Sequence, residues 1–229
     1  MYTTTQGIVL HLQKYKDKTS ILHTYTQDMG RVQYIVHITK KNNLMSQLQP
    51  LSVIEIEANT PNTSSQLPHI KSVRLVQVPQ DTDIRRLTVS IFIAEILYKI
   101  LRHPLPDQPL FDYLVQTIHD LNKSATIENC HLQFMINLTN YLGIMPNIDA
   151  EADWLDMQTG LTSATKPAHK DFFDKDEIQL LNTLTISTNV TISRATRQQL
   201  LDKLCRYYEL HLNDFYIPKS LDILKELFD

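Results

Sequence analysis

Glycine is scarce in this chain: four residues in 229, at 7, 30, 143 and 160. None lies close to another, so no glycine-rich loop exists to wrap a phosphate in backbone amides. Cysteine is scarcer still. Cys130 and Cys205 are too few for a disulfide framework, lack CxxC partners, and fall on apolar helical faces as reduced core residues. The nine histidines, at 11, 23, 37, 69, 103, 119, 131, 169 and 211, never take the i, i+4 spacing that sets two metal ligands on one helix face. No GxSxG or HExxH motif is present. The most apolar stretch, Leu87 to Leu101, contains Glu95 and Lys99 and is flanked by Arg86 and Arg102, which suits a buried helix and not a membrane span of about 20 uncharged residues. Met1 to Gln6 is polar, without the basic start and apolar core of a secretory signal. These absences lead us to expect a protein of the cytoplasm with no membrane contact, no cofactor, no bound metal and no enzymatic activity.

What is present divides near residue 80. The first part reads as five short strands: Gly7 to Leu12, Ser20 to Thr26, Arg31 to Thr39, one beginning at Val53, and His69 to Val78. Gln27, Asp28, Met29 and Gly30 form a tight connection, with Gly30 suited to positive φ. Five antiparallel strands in about 80 residues fit an OB-type barrel, which hides its edges by closing. Beyond Pro79 the pattern turns helical, with a helix expected from a cap at Asp81 or Thr82 to about His103, others at about 107–122, 127–142, 176–184 and 193–213, and a short one after Pro218. Residues 146–173 lack a clear period and read as loop with a short hairpin around Gly160. The fold class expected is therefore α+β: a five-stranded OB-type barrel over 1–80 and an all-helical domain over 81–229.

The net charge of −3 conceals an asymmetry. Residues 1–80 hold eight lysines and arginines against four acids, and residues 81–229 hold fourteen against twenty-one. An anionic partner therefore suits the barrel. Lys14, Lys16 and Lys18 alternate with Tyr15 and Asp17 in the turn between the first two strands. Arg31 follows Gly30, Lys40 and Lys41 open the loop after the third strand, and Lys71 and Arg74 lie on the fifth. Small barrels bind single strands with cations on phosphates and aromatics on bases, and Tyr15, Tyr25 and Tyr34 are the aromatics available. Tyr34 also reads as barrel core. The carboxylates Asp149, Glu151, Asp153 and Asp156 lack the glycine and terminal glutamate of an EF-hand and read as a solvated loop. A metal-dependent nuclease built on Asp153 and Asp156 is the enzymatic alternative.

The ordered series Gly7-Ile8-Val9-Leu10, Tyr15-Lys16-Asp17, Ser20-Ile21-Leu22, Tyr25-Thr26, Gly30-Arg31 and Leu48-Gln49-Pro50 resembles the RecO family of DNA repair and recombination mediators. The helical part agrees through Phe92 to Leu97, Phe111 to Leu114, Phe134, Leu142, Gly143 and Pro146. The resemblance implies an OB domain that binds single- and double-stranded DNA and contacts RecR. It also implies a helical domain that receives the acidic, hydrophobic C-terminal tail of the single-strand binding protein SSB. Together these would promote RecA loading, with RecA engaged indirectly, and strand annealing, by a chain that is a monomer alone and associated with the nucleoid. On this basis the DNA-binding residues are Lys14, Lys16, Lys18, Arg31, Lys40, Lys41, Lys71 and Arg74. Many relatives carry a four-cysteine zinc site after the third helix, yet residues 144–175 contain no cysteine, and packing around Trp154, Leu155, Phe172 and Phe173 is expected in its place. Where some relatives have tail-binding arginines this chain reads His131-Leu132-Gln133, so substitutes are expected among Lys99, Arg102, Lys203 and Arg206. The alternative from another class is an OB/helical protein-interaction adaptor that does not itself bind DNA.

Overall fold

A computed structural model describes residues 1–39, 44–59, 66–78 and 83–228. Its first strand, β1 (Tyr2–Lys16), serves two neighbours: Tyr2 to Ile8 pair with β4 (Val53–Asn59), and Gly7 to Lys16 pair with β2 (Thr19–Thr26). β1 is longer than the Gly7–Leu12 expected because its ends are solvated on both faces, where no apolar alternation marks a strand. Gly7 sits where the two pairings overlap, and a Cβ there would lie 3.3 Å from both Ile56 and Thr26.

The sheet runs β3-β2-β1-β4-β5, with β3 at Gly30–His37 and β5 at Ile70–Gln77. It curls shut where the Ile35 amide donates to the Pro68 carbonyl at 2.8 Å and Ile35 meets His69 in a parallel bridge. A parallel contact between the third and fifth strands closes the OB-type barrel. Inside lie Val9, Leu22, Tyr34, Val36, Ile54, Ile56 and Ala58, the inward alternates of four strands. A single helical turn, α1 (Leu44–Gln47), adds Leu44 and Leu48 to this core. Sequence analysis reads that stretch as polar loop, since one turn is too short to display a helical period.

Ile8, Leu10 and Tyr25 are buried although they alternate with the barrel-facing residues. Their cover is helical: α2 (Ile84–Ile100) lies along β1, and Phe111 of α3 (Gln108–Lys123) packs 6.4 Å from the Tyr25 ring. This double burial explains why Gly7 to Leu10 reads as a continuous apolar run. The α2 cap is Asp83, accepting from the Arg85 amide, whereas Asp81 and Thr82 lie outside the described residues. The helix ends at Ile100, sooner than the His103 expected, because Pro104 disfavours helical geometry just before it. α2 and α3 thus pack with the barrel as one unit, 1–123.

The second unit, 124–229, contains α4 (Cys130–Tyr141), α5 (Lys175–Ile186), α6 (Arg194–His211) and α7 (Ser220–Leu227). Phe134, Leu138, Ile178, Leu181, Leu204 and Tyr208 are among its buried residues, and the Tyr208 hydroxyl donates to the Met135 carbonyl at 2.7 Å. Between α4 and α5 the expected hairpin around Gly160 is present as β6 (Trp154–Asp156) and β7 (Leu161–Ser163), and in place of loop a third strand, β8 (Phe172–Asp174), extends it to a sheet in the order β7-β6-β8. Gly160 turns the β6–β7 hairpin with φ +71°, and β8 flanks β6 on its other side. Three-residue strands are too short for alternation to reveal. Among the described residues no helix is long and apolar enough to cross a membrane.

Candidate nucleic-acid interface

Among the described residues the β1–β2 hairpin carries an exposed cationic cluster. Lys16 pairs with Thr19, so Asp17 and Lys18 alone make the turn. A register shift between Lys14 and Lys16 twists the hairpin end. Lys14, Lys16 and Lys18 are all exposed, and among the described residues none enters an ion pair. Tyr15 projects between them at 58% exposure, with the Lys16 Nζ 5.3 Å from its ring centroid. Beside the hairpin base, Thr19 bonds the His37 ring, which stacks on His69 at 6.2 Å between centroids. Sequence analysis passes over this histidine pair, since residues 32 positions apart share no local signal.

The other expected phosphate contacts have different surroundings. Arg31 sits six β2 residues from the hairpin base, opposite Tyr25, about 20 Å away at ~3.3 Å per residue. Its guanidinium donates to the Tyr98 and Leu101 carbonyls at 3.2 Å, meets His23 at 3.3 Å and lies over the Tyr98 ring at 4.4 Å. It therefore closes the carboxyl end of α2, whose last carbonyls carry partial negative charge. Burial, and then the Arg31 charge, hold the His23 ring neutral by lowering its pKa to about 4.

Lys71 and Arg74 face acids across the β4–β5 ladder. Lys71 lies 2.7 Å from Glu57, and Arg74 grips Glu55 through two bonds of 2.9 and 2.8 Å. Those hydrogen bonds hold both glutamates below the ordinary carboxylate range. Lys40 and Lys41 lie outside the described residues, and the strand that precedes them ends at His37, paired with Thr19.

The four cations expected to receive an acidic tail are likewise engaged. Lys99 is 3% exposed and 3.4 Å from Glu95, and Arg102 donates to the Lys99 carbonyl at 2.8 Å. Lys203 donates to Glu177 at 2.5 Å and to the Phe172 carbonyl at 2.9 Å. Arg206 bridges Asp171 at 3.2 Å and Glu209 at 3.3 Å. A different set of residues forms a cleft in the second unit. Arg194 and Arg197 border it, Leu201 and Leu224 supply apolar lining, and His131 and Phe228 stack within it at 5.8 Å and 20°. Three helices, α4, α6 and α7, build this cleft, so no sequence window contains it.

The β6–β8 sheet offers no thiolate, and a zinc ion of the four-cysteine kind does not fit it. Among the described residues no three His, Cys, Asp or Glu side chains are grouped to hold a metal ion. Trp154 and Phe172 meet edge to face at 5.1 Å, and the Lys166 ammonium lies 5.2 and 5.0 Å from their centroids. Leu155 and Phe173 are buried on the same strands.

The class defined by these features is an OB-type barrel protein with a cationic hairpin, continued by a helical region. Residues 1–79 match the family described as Recombination protein O N terminal, and residues 81–221 match Recombination protein O C terminal. The chain belongs to the RecO family of DNA repair proteins. It is 36% identical to the DNA repair protein RecO of Bacteroides fragilis, 35% to that of Phocaeicola vulgatus and 32% to that of Flavobacterium psychrophilum, in each case over 100% of both chains.

Proposed function

We propose that this chain is a recombination mediator that binds single- and double-stranded DNA on its barrel and, with RecR and SSB, promotes RecA loading and strand annealing without itself making or breaking a covalent bond. Residues 1–80 form the DNA-binding domain and 81–229 the partner-binding domain of this reading. The observation that carries it is the hairpin tip, where three lysines outside any ion pair surround an exposed tyrosine. Phosphates neutralise the lysines and a base stacks on Tyr15, which requires no particular sequence.

Lys14, Lys16 and Lys18 make the primary contacts. Lys40 and Lys41 extend the path, and Lys71 and Arg74 join it by exchanging a solvated carboxylate for a phosphate. Arg31 contributes by holding the barrel to α2. The three primary contacts alone predict a loss of about 20-fold in affinity for a single strand between about 50 and 200 mM salt, and each further phosphate contact steepens it. Anisotropy of a labelled oligonucleotide measures this. Reversing Lys16 and Lys18 to Glu should weaken binding and lower the logarithmic salt slope by about 1.4. Unchanged affinity and slope in a folded variant would remove the hairpin from the interface.

The SSB tail is assigned to the cleft bordered by Arg194 and Arg197, in preference to Lys99, Arg102, Lys203 and Arg206. An acidic peptide with an apolar end needs cations beside an apolar floor, and the cleft sets Arg194 and Arg197 beside Leu201 and Leu224. The adaptor reading gains support from one observation, the pairing of Lys71 and Arg74 with Glu57 and Glu55, which reduces the cationic character of that face. It predicts no DNA binding at low salt and retention of RecR.

A further inference from the structure

The cleft in the second unit already contains an aromatic ring of this chain. α7 ends at Leu227, and Phe228, in its cap position, turns its ring onto His131. His131 is 1% exposed and stays neutral at working pH, because burial first and the Arg197 charge second lower its pKa to about 3. It therefore presents an aromatic face, not a charge. Arg197 is held in place by Asn129 Oδ1 and the Ile192 carbonyl, both at 3.1 Å. Arg194 is exposed on the first turn of α6, where the helix dipole adds to its attraction for carboxylates. Phe228 thus covers the His131 face at the wall of a cleft whose border suits acids.

The geometry points to Phe228 as an internal occupant of this cleft, which an acidic peptide bearing an aromatic residue must displace in order to bind. This inference rests on the assignment of the cleft as the tail site and adds a regulatory element to it. Displacement is local. Leu221 and Leu224 bury α7, and Lys225 ties it to Asp202 at 2.5 Å, so the helix stays while the half-buried Phe228 ring swings out. A competing internal ligand lowers apparent affinity by the fraction of molecules with an open cleft. Burial of half a phenyl side chain corresponds to roughly five- to tenfold.

The test uses a fluorescent peptide of four aspartates followed by Leu, Pro and a terminal Phe, titrated with the full chain. Phe228→Ala should bind it about five- to tenfold more tightly than the parent, with a melting temperature lower by only the few degrees, roughly 2–4 °C, that the loss of one half-buried ring costs. Arg194→Glu should weaken binding in both backgrounds. Equal affinity of parent and Phe228→Ala, with Arg194→Glu still weakening both, would overturn the internal occupant and leave the tail site standing. Weaker binding by Phe228→Ala would make the ring a wall of the site and would also overturn the inference. No binding by either protein, or binding indifferent to Arg194, would remove the tail site and the inference with it.

Discussion

Arg31 and Lys16 carry the same charge on neighbouring ladders of one barrel, and their surroundings set them apart. The Arg31 guanidinium donates to the Tyr98 and Leu101 carbonyls and to His23, whereas the exposed Lys16 ammonium, among the described residues, meets the Tyr15 ring and enters no ion pair. Arg31→Ala should therefore lower stability by about 2 kcal/mol in urea titrations, because hydrogen bonds from a charged donor to half-buried carbonyls are lost together with stacking. Arg31→Lys should restore little, since an ammonium cannot reproduce the planar fork. Lys16→Glu should leave stability unchanged. If Arg31→Ala were as stable as the parent, the arginine would become available as a DNA contact. The buried histidines act at the same scale. In the unfolded chain they take up a proton near their ordinary pKa of 6.5, but in the folded protein His23 does so at about 4 and His131 at about 3. Between those values the unfolded chain binds more protons, so this stability is complete above 6.5 and declines as pH falls, by up to ~1.4 kcal/mol per unit for each histidine. His131→Phe should lose less stability than the parent between pH 7 and 5. An equal loss would assign the pH dependence to other groups.

At the level of elements, the start of α5 ties several segments together. Asp174 accepts from the Glu177 amide while Glu177 reaches back to the Asp174 amide, a reciprocal capping box at 3.0 and 2.9 Å. Glu177, 4% exposed, also receives Gln199 and Lys203 from α6. Lys203→Met should cost about 3 kcal/mol, because it leaves a buried carboxylate without its counter-ion. Peptide affinity at the Arg194–Arg197 cleft should be unaffected, which separates this lysine from the tail site; a fall in peptide affinity at unchanged stability would return Lys203 to it. The connection before β3 is equally demanding. Gly30 has φ +63°, and a Cβ there would lie 2.3 Å from the Leu105 carbonyl oxygen. Gly30→Ala should destabilise by more than the ~1 kcal/mol of an unfavourable dihedral alone, because the Leu105 backbone must move. Thermal melts measure it, and a change within experimental scatter would mean that the 102–106 segment is readily displaced.

For the molecule as a whole, the region after the third long helix of family members illustrates how one fold is held together in different ways. Where the resemblance implies thiolates and zinc in many relatives, this chain packs Trp154, Phe172, Phe173 and the Lys166 ammonium on a small sheet. Hydrophobic and cation–π contacts hold without a ligand, so excess chelator should leave the melting temperature and DNA affinity unchanged. A chelator-dependent drop would demand a metal site outside this sheet. The opposing charge of the two halves acts at this scale too. An excess of cations within 1–80 and of acids beyond makes residues 1–80 the more attractive part of the chain for a polyanion.

How much of this was legible beforehand depends on whether the signal is local. Strand alternation in Ser20 to Thr26, the positive-φ turn at Gly30 and the helix stop before Pro104 each lie within a few residues, and propensity and sterics expose them directly. The family followed from many such short motifs in order. The lysine hairpin was legible for the same reason. What each charge does depends on partners distant in sequence: Arg31 on the end of α2, Lys71 on Glu57, Lys203 on Glu177, Phe228 on His131. The sequence by itself thus determined the element types, the OB-type order and the cationic hairpin, because these arise from local backbone preferences and composition. Only the tertiary structure decided which cations are committed to carboxylates and carbonyls and which face solvent, because packing brings those groups together and Coulombic and hydrogen-bond energies depend on distance in space.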